Sequence, residues 1–385
     1  MKGHIRQRGA GSFELKLDTG KDATGKRTTE YRSFKGTKRE AQTELAKLIA
    51  AVGKGDHVAR SALTVGAHVA ERIERWVALG QITPRTAERY RELHANQIAP
   101  FIGAVTVQML KVADIEKWHG ALRVSGRRDG KGGLSALTIR HAHRLLGKAL
   151  KEAQRHDLVI KNVASMQPPP RVAHTEVVIL DPDQIRSVVR DLGGRPVYPK
   201  AIVALFTGMR RGEILALRWQ DVDLDRKAVT VRAALEETQA GLRFKTPKSQ
   251  AGVREITLPG IVVETLRATR RRQQEQRFAL GAGKLTDDAL VFARPDGAPQ
   301  SPRALSKEWS AAAASLGFGD VTLHALRHTH ASQLISCGID VVKISKRLGH
   351  ASPTITLNVY AHLFDQREDK SATAINDAVA ALLAV

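Results

Sequence analysis

Thr207-Gly208-Met209-Arg210-Arg211-Gly212-Glu213-Ile214-Leu215 puts two arginines directly behind a glycine break, with a helix resuming after them. Ile214, Leu215 and Leu217 would form the apolar face of that helix, while Arg210 and Glu213 fall together on one side of it. A carboxylate so placed can orient a guanidinium whose other donors face a phosphate. Taken alone the pair reads equally as a surface ion pair, the commonest fate of Arg–Glu helix neighbours. Downstream, His324-Ala325-Leu326-Arg327-His328-Thr329-His330 brings His324 and Arg327 to one side of a second helix, where both can reach one ligand. His324 and His328 have the i, i+4 spacing of a metal pair. The glutamate that follows the first histidine of an HExxH zinc helix is missing, so no metal is expected. Leu348-Gly349-His350 reads as a helix end with Gly349 in the left-handed position past it. Ser352-Pro353 then opens another helix, on which Thr354, Leu357, Tyr360 and Ala361 are expected to share a face.

Around these motifs the chain divides into three regions. Residues 175–385 mix helices with strands: Asp181-Pro182-Asp183 opens a helix, Tyr198 to Thr207 reads as a buried one, and Val222–Val231 and Val253–Leu258 read as strands. Pro168-Pro169-Pro170 is a stiff linker in front of them. Residues 62–168 are helical, with helices from Thr83-Pro84, over Val112–Leu122 and over Ala136–Arg155, and a break at Ile98–Gly103. Arg85, Arg89, Arg140 and Arg144 are its candidate phosphate contacts, with a solvated charged face as the rival reading. Residues 1–56 predict strands at Phe13–Leu17 and Thr28–Phe34 and a helix at Glu40–Val52. Lys16, Arg27, Arg32 and Lys35 there suit a ribbon lying in a DNA groove, or a solvated sheet face.

Composition narrows the partner. The chain has 385 residues, with 61 Lys and Arg against 39 Asp and Glu, a net charge of +22 and a pI near 10.4. Such an excess points to a polyanion, because Lys and Arg release the counterions condensed on nucleic acid. No apolar run approaches the roughly 20 residues of a membrane span, and Met1 to Arg6 lack a signal-peptide core, so a cytoplasmic protein with no membrane partner is expected. Cys337, the single cysteine, has no disulfide or zinc partners and is expected to be a buried thiol beside Leu334 and Ile335. Asp221, Asp223 and Asp225 could suggest a two-metal nuclease, but nothing else supplies ligands, and a solvated strand entry is the simpler reading. Arg270-Arg271-Arg272 reads as a solvated helical patch.

The order TGMRRGE, HALRH, LGH and then a tyrosine ten residues on resembles the tyrosine recombinase, or phage integrase, family. By that resemblance Arg210, His324, Arg327, His350 and Tyr360 match the catalytic positions, with Glu213 in support. The family also has a lysine on a β-hairpin; counting back from Arg254, its usual spacing points to Lys248, with Lys245 as the fallback. The implied fold is mixed and mainly α with small β-sheets, in three domains: an N-terminal arm-binding domain, a helical core-binding domain and a mixed α/β catalytic domain.

The resemblance implies a site-specific recombinase without cofactor or metal. Arg210 and Arg327 would clamp the scissile phosphate while Tyr360 attacks in line to give a 3′-phosphotyrosyl enzyme. Lys248 would protonate the leaving 5′-oxygen, His324 would assist proton transfer from the tyrosine and His350 would hydrogen-bond the phosphate. Implied partners are double-stranded DNA with core and arm sites, a homotetramer assembled on DNA from monomers, and a DNA-bending accessory protein. The apolar segment Ala374–Val385 would dock on a neighbouring protomer or cover its own core. The rivals are a non-catalytic DNA-binding regulator of the same fold, a type IB topoisomerase and, more distantly, a metal-dependent nuclease.

Overall fold

The alternation of Phe13, Leu15 and Leu17 produces a strand with all three side chains buried. It is the middle strand of an antiparallel sheet, β1 (Gly3–Gly9), β2 (Ser12–Lys21) and β3 (Arg27–Lys35), in the order β1-β2-β3. The computed structural model describes residues 3–21, 25–53, 58, 61–173, 177–246 and 252–365, and its two compact units part between His174 and Thr175. Helix α1 (Lys38–Gly53) lays Ala41, Leu45 and Leu48 on the sheet. Strand β1 escaped the sequence reading because Ile5 is its one large apolar residue.

Strand pairing sorts the basic residues of this sheet. Leu15 lies opposite Arg32 and Lys16 opposite Tyr31, so Arg32 shares the helix side with Leu15 while Lys16 and Lys35 share the other. Arg32 Nε donates to Glu30 at 2.9 Å. A one-face ribbon carrying Lys16, Arg32 and Lys35 is therefore not what forms.

The rest of the first unit is helical. Threonine hydroxyls cap α2 (Val65–Ala78) and α3 (Pro84–Leu93) at Thr64 and Thr83. The expected break at Ile98–Gly103 is not a loop: the chain stays helical through a π turn at His94–Ile98 into α4 (Ala99–Ile102). Pro100 falls in the first turn of α4, where its missing N–H costs little. Then come α5 (Val112–Ser125), α6 (Ala136–Arg155), capped by Ser135, and α7 (Val163–Met166). Trp76, Ile115, Trp118, Leu145 and Leu146 are buried in their common core.

In the second unit, α8 (Pro182–Asp191), α9 (Tyr198–Thr207) and α10 (Arg211–Ala216) lead into β4 (Val222–Asp223), β5 (Ala228–Val231), the hairpin β6 (Ala234–Thr238) and β7 (Gly241–Lys245), and β8 (Arg254–Thr257). Strands β4, β5 and β8 form one antiparallel sheet in that order. Helices α11 (Gly260–Ala279), α12 (Pro302–Ser315), α13 (Leu323–Ser336), α14 (Val341–Leu348) and α15 (Pro353–Asp365) follow. One core joins Leu205, Ile214, Val229, Ile256, Trp309 and Leu326. A smaller one, with Ile335, Ile344, Leu348 and Tyr360, packs α13 to α15 together.

Three expectations change here. Cys337 is exposed, because it sits one residue past the end of α13 and Ile335 carries the burial. The buried side of α15 runs through Thr356 and Tyr360, whereas Thr354, Leu357 and Ala361 are exposed. The Asp221 side chain is nearly enclosed and takes Arg232 Nε at 2.9 Å, while Asp223 accepts the N–H groups of Asp225 and Arg226 and so builds the turn. Among the described residues no cluster could hold a metal, and no helix is long and apolar enough to cross a membrane.

Candidate active site

Gly208 ends α9 in the left-handed conformation, φ +67°. A Cβ there would stand 2.7 Å from the side chains of His330 and Leu348, so the turn can pack only as glycine. This turn delivers Arg210 to the N-cap of α10, where its backbone N–H donates to Glu213 Oε2 at 2.8 Å and its Nη1 to Oε1 at 2.9 Å. The buried Glu213 carboxylate is shared: Arg254, from β8, donates to the same two oxygens at 2.8 and 3.2 Å. Burial acts to raise the Glu213 pKa, but the hydrogen bonds and charges of Arg254 and Arg210 hold it below the usual carboxylate value. The carboxylate thus stays ionised and fixes two guanidiniums at once.

Arg327 is 3% exposed. Its Nη1 donates to the Gly208 carbonyl at 2.6 Å and its Nη2 to that of Leu348 at 2.8 Å. Burial, then the charge of Arg210, push its pKa down to about 9, which still leaves it charged at neutral pH. Arg210 Nη2 donates to the next carbonyl, Gly349, at 3.1 Å. These two oxygens lie at the C-terminal end of α14, where a helix leaves carbonyls unpaired and carries partial negative charge. Gly349, at φ +68°, ends that helix as the sequence predicts.

Past this helix end His350 places Nδ1 2.8 Å from the Thr356 hydroxyl. Burial and the charges of Arg327 and Arg210 push its pKa to about 4, so the ring is neutral. On α15 the Tyr360 side chain is buried, and its hydroxyl lies 2.7 Å from His328 Nδ1. Burial raises the phenol to about 12, outweighing the opposing pull of Arg327. His328 falls to about 4 through burial and then the charges of His324 and Arg327. His324, exposed at the start of α13, meets His328 edge-on at 4.7 Å between ring centres. Desolvation, then Arg327, Arg210 and Arg211, lower its pKa as well.

Lys245, at the end of β7, donates to Glu236 at 2.6 Å. Lys248 and the segment Ala374–Val385 lie outside the described residues. Arg210, Lys245, His324, Arg327, His350 and Tyr360 all line one pocket of about 530 Å³, and His328 lines it too. Fixed cations, neutral imidazoles and a phenol around one cavity can bind a phosphodiester and attack it.

On the helical part of the first unit Arg85, Arg89 and Arg144 are exposed, the first two bonded to Glu88 at 3.0 Å and Glu92 at 3.3 Å. Arg89 on α3 and Arg140 and Arg144 on α6 gather around His141, whose pKa falls through desolvation and then these three charges. In the small sheet Arg27 opens β3.

Residues 179–367, the second unit's helices and strands, match the model of the phage integrase family. The chain belongs to that family. It is a site-specific DNA recombinase of the tyrosine type, with the fold the resemblance implied. It is similar to the XerC-like tyrosine recombinase of Caldanaerobacter subterraneus, with 23% identity over 384 residues, 95% of this chain and 96% of the relative. The Tn1549 transposon integrase in complex with transposon right-end DNA is similar in fold: TM-score 0.68 and 23% identity over 83% of this chain and all (100%) of that one. So is a lambda integrase tetramer bound to a Holliday junction, with TM-score 0.54 and 17% identity over 91% of this chain and 96% of that chain.

Two residues of this recombinase's pocket region escaped the sequence reading. Arg254 served only as a ruler for the lysine. Its place opposite Glu255 and level with Ile256 on the inward side of β8 was the available signal, since a charge at a buried period needs a buried partner. The sequence pairs His328 with His324 only by metal-ligand spacing, whereas the fold sets it beside the tyrosine helix.

Proposed function

We propose that the recombinase cleaves and rejoins double-stranded DNA at specific core sites through a 3′-phosphotyrosyl intermediate, integrating and excising a mobile element. The observation that carries this reading is the convergence of Arg210, Arg327, His324, His350 and Tyr360 on one pocket. Arg210 and Arg327 hold the non-bridging oxygens of the scissile phosphate, their guanidiniums already oriented before DNA arrives. His324 and His350 add hydrogen bonds to the same oxygens. Tyr360 attacks in line, and the 5′-oxygen leaves with a proton from Lys248; Lys245, tied to Glu236, is the second candidate for that proton. Because the phosphotyrosine retains the energy of the broken bond, the partner 5′-hydroxyl can reverse the step without ATP or metal.

The basic cluster of Arg89, Arg140 and Arg144, with Arg85, supports backbone contacts to core DNA. Lys16 and Lys35, on the outward side of the small sheet, support arm-site binding, with Arg27 at the start of β3 as a further candidate, while Arg32 on the helix side is not placed for it. The tetramer of lambda integrase on a junction and the transposon DNA of the Tn1549 integrase support a tetramer acting on paired DNA sites. Action in the cytoplasm and a DNA-bending partner belong to the same reading through the family resemblance alone.

A nicked suicide DNA carrying the core site tests the reading. Wild type should form a covalent adduct on a denaturing gel, unaffected by EDTA, and Tyr360→Phe should form none. An adduct with Tyr360→Phe, or loss of the wild-type adduct in EDTA, would overturn it.

A further inference from the structure

Tyr360 has its hydroxyl against His328, not His324: the Nδ1 of His328 is 2.7 Å away, with the two rings 5.7 Å apart at 62°. His324 meets the same ring edge-on, with 4.7 Å between ring centres. We propose that His328 is a catalytic residue of this recombinase, the base that takes the phenolic proton of Tyr360 during cleavage and returns it during rejoining. This rests on Tyr360 being the nucleophile.

The surroundings fit a proton acceptor. On its own helix His328 faces His324 and Arg327; α15 contributes Tyr360, and the turn after α14 contributes His350. Arg210, Glu213 and Lys245 line the rest of the pocket. Burial, then the charges of His324 and Arg327, hold the imidazole neutral, with a pKa near 4. A neutral ring protonated on Nε2 offers the Nδ1 lone pair to the phenol O–H. Between these two groups alone transfer is uphill, since the phenol sits near 12. When phosphate enters, its negative charge offsets the arginines and makes an imidazolium tolerable. The O–H bond then breaks as the phenolic oxygen bonds phosphorus, and the proton goes to Nδ1. The bond from phosphorus to the 5′-oxygen breaks, and that oxygen takes its proton from the general acid. In rejoining, the 5′-hydroxyl attacks phosphorus and returns its proton to the general acid, the bond from phosphorus to the phenolic oxygen breaks, and Nδ1 reprotonates the departing phenolate.

The test uses a core site with sulfur at the scissile 5′ bridge, a leaving group that departs without an acid, so that phenol deprotonation dominates the rate. Single-turnover adduct formation is followed across the neutral pH range in the full-length protein. His328→Asn sets an amide oxygen at the Nδ1 position, which can accept a hydrogen bond but not a proton. It should be slower by about a hundredfold at neutral pH and should speed up steadily as pH rises, while binding DNA like wild type in a gel shift. His324→Asn should lower the rate without acquiring that slope. His328→Gly should be rescued by added imidazole in proportion to its neutral fraction. An His328→Asn rate equal to or above wild type would mean that His328 only tethers the tyrosine, and would overturn the proposal. So would the new slope appearing in His324→Asn alone, or failure of imidazole to rescue a DNA-binding His328→Gly. Adduct in Tyr360→Phe is the separate outcome that removes the nucleophile reading itself.

Discussion

In the pocket, Arg327 is almost wholly enclosed and both its terminal nitrogens are committed to backbone carbonyls; on the helical surface of the first unit, Arg89 and Arg144 stand in solvent. On the proposed reading both sets serve a phosphate backbone, but by different physics. The enclosed set pays its desolvation during folding and is held by Gly208, Leu348, Gly349 and Glu213. It therefore needs no reorganisation when charge builds up on the reacting phosphate. The exposed set stays hydrated and acts through displaced counterions, which gives affinity without fine geometry. Rate should therefore live in the first set and salt-dependent affinity in the second.

That division can be broken most sharply at Arg327. Arg327→Ala should lower single-turnover cleavage by about 10³-fold or more while DNA binding, measured at moderate salt, falls only a few-fold. Equal losses in both would erase the distinction. Next in size is Glu213→Gln, which strips Arg254 of the carboxylate that neutralises it inside the fold. Urea melts should show a loss of about 3 kcal/mol, and cleavage should fall along with it because Arg210 loses its guide. A smaller effect comes from pH. His328, His330 and His350 sit at about 4, 3 and 4, against an ordinary value of 6.5. These folded-state values are depressed, so the unfolded chain takes up protons first as pH falls. Stability is full above about pH 6.5 and drains toward about pH 3, the folded value of His330. The urea midpoint should drop between those limits, and His330→Asn should flatten the drop if it still folds cooperatively. Smallest is Arg144→Ala, which should weaken DNA binding a few-fold and reduce the salt slope by about one. Its cleavage rate at saturating DNA should be that of wild type.

The sequence was most legible where a local rule governs. Gly208 and Gly349 announced their turns, Thr83-Pro84 and Asp181-Pro182 their helix starts, and Ala136 to Arg155 its full length. The residues around the pocket could be listed from motif order, but their partners could not. Leu348 and Gly349 hold the arginines through carbonyls, which carry no side-chain signature. The rotation of α15 was misjudged because Thr356, a polar residue, takes a fully buried place by meeting His350. Arg32 was misplaced because the face of a β-strand residue depends on pairing register, which the basic pattern of β3 does not reveal. The role of His328 leaves no local trace, because the tyrosine that meets it lies 32 residues further on, on another helix.

The end of α14 connects these threads. Arg327 hangs on its last carbonyl and Arg210 on the one after, and the chain passes through His350 directly into the helix that carries Tyr360. On the proposed reading, clamp and nucleophile thus share one mechanical part. A displacement of that single turn moves both guanidiniums and the phenol in step, so a neighbouring protomer or DNA segment pressing there could arm or disarm the whole site with one motion.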